Sequence, residues 1–201
     1  ELERVSAPLV AMVATISYYD DGSFVDLIAD TIDRLINLPR LEKDFLHDSQ
    51  KIHGVSNASK FREYLHNLRL YPALLTIYSS GITAVYKENF NTLSSIIETP
   101  RIRKFDGNVM SWIFYPFFED VNVWKVLWTS EQWTLEFSAN RFGKMVNSYY
   151  YPTKVIQSII SNLIPNEYNF DSAFDTFEYL YCLSYINQTK IELTSEAYPL
   201  R

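Results

Sequence analysis

Apolar positions recur three or four residues apart along most of this chain, the interval that lines one side of an α-helix. The clearest stretch covers residues 69–87, where Leu74, Leu75, Tyr78, Ile82, Val85 and Tyr86 hold that spacing. Pro72 suits the first turn of a helix, because its φ is already near the helical value and its missing N–H is not needed there. The residue before a proline is pushed away from helical geometry, so a preceding helix is predicted to stop at Leu70 or Tyr71. The 69–87 pattern is apolar on several faces, which marks a central rather than a surface helix. Gly81 inside it costs about 1 kcal/mol against alanine, and close packing on a neighbouring helix is the natural offset. Ala73, Ser80 and Ala84 are small enough to permit the same approach.

The same spacing predicts the neighbours. Ser6 reads as the cap of a first helix reaching residue 18, and residues 20–23 as a turn. Ser23 with Asp26 resembles a capping box and starts a second helix. Phe24, Leu27, Ile28, Leu35 and Ile36 give its inward side; Asp26, Asp30 and Asp33 lie opposite, and Pro39 ends it. A weaker helix is expected over 40–52, stopped by Gly54. Ser56 or Asn57 caps the next, with Phe61, Tyr64, Leu65 and Leu68 as its buried stripe. Beyond the central helix, Glu88 and Asn89 form a short turn, and 90–98 is a helix ending before Pro100. Residues 98–108 hold Pro100, Gly107 and a basic trio, and make the best internal boundary. The run 112–118 has no clean period and is broken by Pro116, so 109–128 reads as a short helix, a buried extended segment, or both in turn, and any strand content would sit there. Helical spacing returns at Thr129, with Leu135, Phe142, Val146 and Tyr149 inward and an end at Pro152. Val155, Ile156, Ile159, Ile160 and Leu163 mark a helix closed by Pro165. Asp171 reads as the cap of a last helix over 172–186, apolar almost all round and therefore buried, with a polar tail from Asn187. The sum is an all-α protein: an irregular bundle of antiparallel helices in one domain, 1–201, with a sub-division near 98–108.

Composition narrows the class. The 201 residues are 47% apolar and 21% charged, which suits a folded domain with a real core. The net charge of −6 disfavours a dedicated nucleic-acid binder. Five glycines argue against Gly-rich phosphate loops. One cysteine, Cys182, forms no internal disulfide, which points to a reducing, cytoplasmic setting, and its apolar surroundings predict a buried, inert thiol. The apolar run 8–19 is shorter than the roughly 20 residues a bilayer span needs, so a buried first helix is expected and no membrane partner. The chain begins at Glu1 without methionine, and we expect a domain excised from a longer protein.

Candidate chemistry is thin. Glu63 and His66 have the Glu-x-x-His spacing of carboxylate-bridged di-iron sites, but those use two copies on facing helices, and one is present. Both fall outside their helix's apolar stripe and are read as hydrated surface residues. His47, His53 and His66 have no cysteine partners and no zinc-ligand spacing. Asp26, Asp30 and Asp33 could form an acid–base or metal cluster, yet a solvated helix face opposite the apolar one accounts for them. Arg101, Arg103 and Lys104, with Trp112 nearby, are the candidate interaction residues, able to touch phosphates or stack bases. A solvated linker is the plainer reading in an acidic chain. No Gly-x-Ser-x-Gly, P-loop or dinucleotide motif occurs. No cofactor is expected, and no catalytic or metal residue is assigned.

Two resemblances remain. Gly81, Phe90, Leu93 and Ile97 fall near the small, aromatic and apolar positions of a tetratricopeptide unit, over residues 77–100, without a second copy along the chain. Residues 71–86 and 170–186 resemble the helical C-terminal regions of bacterial multidomain proteins, including defence-type ones. That resemblance implies a module that regulates, senses or assembles beside an effector or nucleotide-binding domain. The leading expectation is a non-catalytic helical interaction or regulatory module of a larger cytoplasmic bacterial protein. Its partner would be another protein, other domains of its own chain, or a second copy. The alternatives are an enzyme with a dispersed site, and a nucleic-acid contact domain using 101–104.

Overall fold

The structure, a computed structural model, describes residues 2–37, 58–98 and 150–196, with side chains described at 2–37, 70–98 and 153–184. Among these residues the fold is all-α, and no strand occurs. Six helices follow in order: α1 (Leu2–Tyr19), α2 (Val25–Ile36), α3 (Ala58–Tyr86), α4 (Phe90–Glu98), α5 (Tyr150–Ile160) and α6 (Glu167–Glu196). The helix expected over 40–52, the boundary near 98–108, the extended segment within 109–128 and the helix from Thr129 lie outside the described residues.

The core is built around α3, on which each of the other five helices packs. Every residue from Leu70 to Ala84 is buried except Pro72, which is half-buried. A helix buried on all sides is what an all-round apolar pattern requires. α3 is longer than expected: it runs unbroken for 29 residues through Pro72. No break falls at Leu70 or Tyr71, because both side chains are buried in the shared core. That packing outweighs one missing hydrogen bond to the carbonyl of Leu68. Thr76 Oγ1 donates to the carbonyl of Pro72 at 2.8 Å.

Gly81 sits where α6 crosses α3. A Cβ there would overlap the ring of Phe177, so the glycine is what lets α6 approach. Phe177 is fully buried, with its ring 5.2 Å from Tyr78 and 5.6 Å from Tyr181.

The helix starts depart from the expected caps. α1 begins at Leu2, and Ser6 lies inside it with its hydroxyl donating to the carbonyl of Leu2 at 2.9 Å. α2 is started by Asp20, not by a Ser23–Asp26 box. Asp20 Oδ1 accepts from the N–H groups of Gly22 and Phe24, both at 3.0 Å, while its Oδ2 accepts from Thr92 Oγ1 at 2.7 Å. One buried carboxylate thus ties the α1–α2 turn to α4. Gly22 has φ +102°, a region that an L side chain rarely adopts. Phe24 and Leu27, expected inward, are both half exposed, and the buried side of α2 is Ile28, Ala29, Ile32 and Ile36. α5 is described over Tyr150–Ile160 and runs through Pro152, so no helix ends at that proline. α6 begins at Glu167: Asn166 Oδ1 accepts from the N–H of Asn169 at 3.1 Å, and Asp171 is already inside the helix. α6 is also not buried all round. Tyr168, Asp171, Asp175 and Tyr179 are exposed, while Phe170, Ala173, Phe177 and Tyr181 face the core.

α3 ends as the sequence predicts, at the Glu88–Asn89 turn. The N–H of Asn89 donates to the carbonyl of Ala84 at 2.9 Å, and that of Glu88 to the carbonyl of Val85 at 3.0 Å. This is a Schellman ending, with Glu88 in the left-handed position at φ 59°. Asn89 Nδ2 then donates to the carbonyl of Ser17 at 2.9 Å, satisfying the C-terminal end of α1.

Candidate functional site

α1 has two apolar faces, and among the described residues only one is packed on the core. Its inner stripe is Ser6, Val10, Val13, Ala14 and Ser17, all buried. Three polar contacts fix the register of this stripe on α3 and the turn after it. Tyr71 donates its hydroxyl to Glu3 Oε1 at 2.9 Å, Thr83 Oγ1 donates to the carbonyl of Ala14 at 3.2 Å, and Asn89 holds the carbonyl of Ser17. A threonine reaching a backbone carbonyl of the next helix requires the two helices to lie close, and Ala14 permits that.

The outer stripe is Val5, Met12 and Tyr19, exposed by 65%, 55% and 73%. Pro8 and Thr15 lie between them and are exposed too. Leu9 and Ile16 flank the stripe, half-buried against the edge of the core. From Val5 to Tyr19 the helix carries no charged residue. An isolated exposed apolar side chain is ordinary, but a continuous uncharged stripe along a whole helix is the mark of an interaction surface. The sequence reading took the 8–19 run as wholly buried. The signal that separates the faces was present: Val5, Met12 and Tyr19 are seven residues apart, on a line opposite Val10, Ala14 and Ser17.

A second cluster lies where α6 meets α3. Tyr78 donates its hydroxyl to Glu178 Oε1, and Phe174, Phe177 and Tyr181 surround the phenol, with ring centroids 5.2–6.3 Å away. Burial pushes the Glu178 carboxyl above its usual range. The bond from Tyr78 works against that shift, and the charge of Asp175 adds to it. Burial also pushes the Tyr181 phenol well up. The rings pack around the phenol while the Glu178 carboxyl is half-buried, so the arrangement is a packed joint whose carboxyl holds a proton more tightly than a free one. Cys182, one residue on, is exposed rather than buried; partial burial and the nearby Glu178 push its thiol up, away from the reactive thiolate.

The residues singled out from sequence fall as follows. Arg101, Arg103, Lys104 and Trp112 lie outside the described residues, as do His47 and His53. Glu63 and His66 are on the first part of α3, where side chains are not described. Asp26 and Asp30 are exposed and Asp33 is half-buried; Asp30 pairs with Arg34 at 2.8 Å. Among the described residues, no three His, Cys, Asp or Glu side chains are grouped to hold a metal ion, and no helix is long and apolar enough to cross a membrane. No family model, curated protein or solved structure matches the chain.

Proposed function

We propose that this chain is a non-catalytic helical module that works by protein–protein contact within a larger cytoplasmic bacterial protein. The observation that carries the reading is the outward face of α1, apolar and exposed beside an inner face already committed to α3. The larger bacterial context rests on the resemblance of residues 71–86 and 170–186 to helical C-terminal regions of multidomain proteins. The cytoplasmic setting rests on the single cysteine.

The test is Met12→Lys with two readouts. A surface kept exposed for a partner adds nothing to the fold of the free chain, so its stability stays within about 0.5 kcal/mol of wild type and its thermal midpoint is nearly unchanged. Binding through that face is lost, read as loss of association in solution. A midpoint lowered by several degrees would mean that the chain covers the face itself, and would overturn the reading.

A further inference from the structure

The turn between α1 and α2 holds an Asp–Gly pair, Asp21–Gly22, and such pairs are among those whose backbone rearranges most readily. The glycine amide nitrogen can lose its proton and attack Cγ of the aspartate before it. A bond then forms from Gly22 N to Asp21 Cγ, one carboxyl oxygen leaves as water, and a five-membered succinimide results. Water opens that ring at either carbonyl. One opening restores aspartate; the other routes the main chain through the side-chain carbonyl and gives isoaspartate. Glycine favours the step because no Cβ hinders its nitrogen. Asp21 and Gly22 are both exposed, and nothing lies within 4 Å of the place a Gly22 Cβ would take. A second such pair, Asp106–Gly107, lies outside the described residues.

Both reacting groups of the first pair are already engaged. The Gly22 N–H, whose proton must leave, donates to Asp20 Oδ1 at 3.0 Å. A carboxylate at that distance opposes loss of the proton, because two negative charges would then face each other. Asp20 is buried and held from two sides: its Oδ1 also accepts from the N–H of Phe24, and its Oδ2 accepts from Thr92 Oγ1 on α4. The target carboxyl is held as well, since Asp21 Oδ1 accepts from the N–H of Ser23 at 3.1 Å. Hydrogen bonds from the side chain and backbone of Ser23 keep Asp21 below the usual carboxylate range, and the ionised form is the poorer electrophile.

We propose that Asp21–Gly22 is a latent isoaspartate site of this chain, and that the buried Asp20 carboxylate is the latch that keeps it closed. Conversion adds one carbon to the main chain between Asp20 and the N–H groups it holds. The modified turn therefore loosens the tie that Asp20 makes from α1 to α4.

The experiment holds the full chain at neutral pH, well below its thermal midpoint, and follows isoaspartate at residue 21 by peptide mapping beside a free peptide of residues 17–26. Wild type is expected to convert more slowly than the peptide by about tenfold or more, the worth of one hydrogen bond to a charged group. Asp20→Ala removes the latch and should recover most of the peptide's rate, with retained helix checked by circular dichroism. Asp20→Asn keeps an acceptor but loses the charge, so its rate should fall between those of wild type and Asp20→Ala. If Asp20→Ala fails to fold, Asp20→Asn decides. Gly81→Leu strains the fold on the α6 side and leaves the latch in place, so below its own midpoint it should convert at the wild-type rate. Any one of three results overturns the proposal: wild type converting as fast as the free peptide, Asp20→Asn converting no faster than wild type, or Gly81→Leu converting as fast as the Asp20 variants. The last would mean that the whole fold, not the latch, protects the bond.

Discussion

Phe177 packs this close to α3 only because Gly81 has no side chain. Tyr78 and Tyr181 box it in, and all three side chains are buried. Gly81→Leu gains about 1 kcal/mol in helix propensity but forces side-chain volume into that ring, so a net loss of a few kcal/mol is expected. The thermal midpoint should fall by several degrees, and a raised midpoint would show that α6 can move aside. Ser79 is the reverse case. Its hydroxyl is buried without a hydrogen-bond partner among the described residues, an arrangement worth roughly 1–3 kcal/mol of penalty when nothing relieves it. Ser79→Ala removes the orphan and favours the helix, so it should melt higher than wild type. Glu178 adds a pH dependence. Its native pKa lies above the unfolded value, so folding holds the proton more tightly than the unfolded chain does. Its contribution to stability is therefore greatest at low pH, and falls as pH rises from the ordinary glutamate value through the raised native one. Glu178→Gln can still accept from Tyr78 but never ionises. It should melt higher than wild type at pH 7, and the gap should close on going to pH 4. A gap of constant size across that range would locate the effect elsewhere.

At the scale of elements, periodicity carried the interiors and local chemistry misplaced several ends. The all-α class, the burial of the 70–84 segment, the Gly81 contact and the 90–98 helix were legible because each depends on side-chain spacing. The starts of α1, α2 and α6 were not. Ser6 and Asp171 have good capping side chains but lie in stretches that were already helical, while Asp20 acts from the turn before α2 and Asn166 from the residue just before α6. Pro72 was read as a helix start for the same reason: its local preference is real, but burial of Leu70 and Tyr71 on either side of the shared core decides. The outer stripe of α1 was hidden because an apolar run reads alike whether one face or both are covered. The end of α3 offers a direct test of local chemistry. Glu88 occupies a left-handed position that costs a non-glycine residue about 1–2 kcal/mol, and its side chain is exposed. Glu88→Gly should therefore stabilise the protein by about 0.5–1 kcal/mol after the extra entropy of the unfolded glycine is allowed for, read as a raised midpoint in a thermal melt. A lowered midpoint would show that the Glu88 side chain holds something the turn needs.

For the whole molecule, the consequence of one helix touching the other five is cooperativity. α3 cannot lose α1 or α6 without exposing residues that are buried from every side, including Ala14 and Thr83 on one flank and Phe177 and Tyr78 on the other. No described pair of helices forms a core that leaves α3 out: α2 and α4 pack on each other, but both also lean on α3. Local opening is cheapest where few apolar contacts are lost, and costs the full unfolding free energy where all of them are. Native-state hydrogen exchange should thus find the slowest amides in 70–84, exchanging only through global unfolding. Gly81→Leu is the discriminating variant, because its strain is applied on the α6 side alone. If the described helices are one cooperative unit, protection falls by the same free energy in α1 around Ala14 as in α6 around Phe177. If α6 is a separately opening element, its amides lose protection while those of α1 and of the α1-facing side of α3 keep theirs, and the picture of a single unit built on α3 fails.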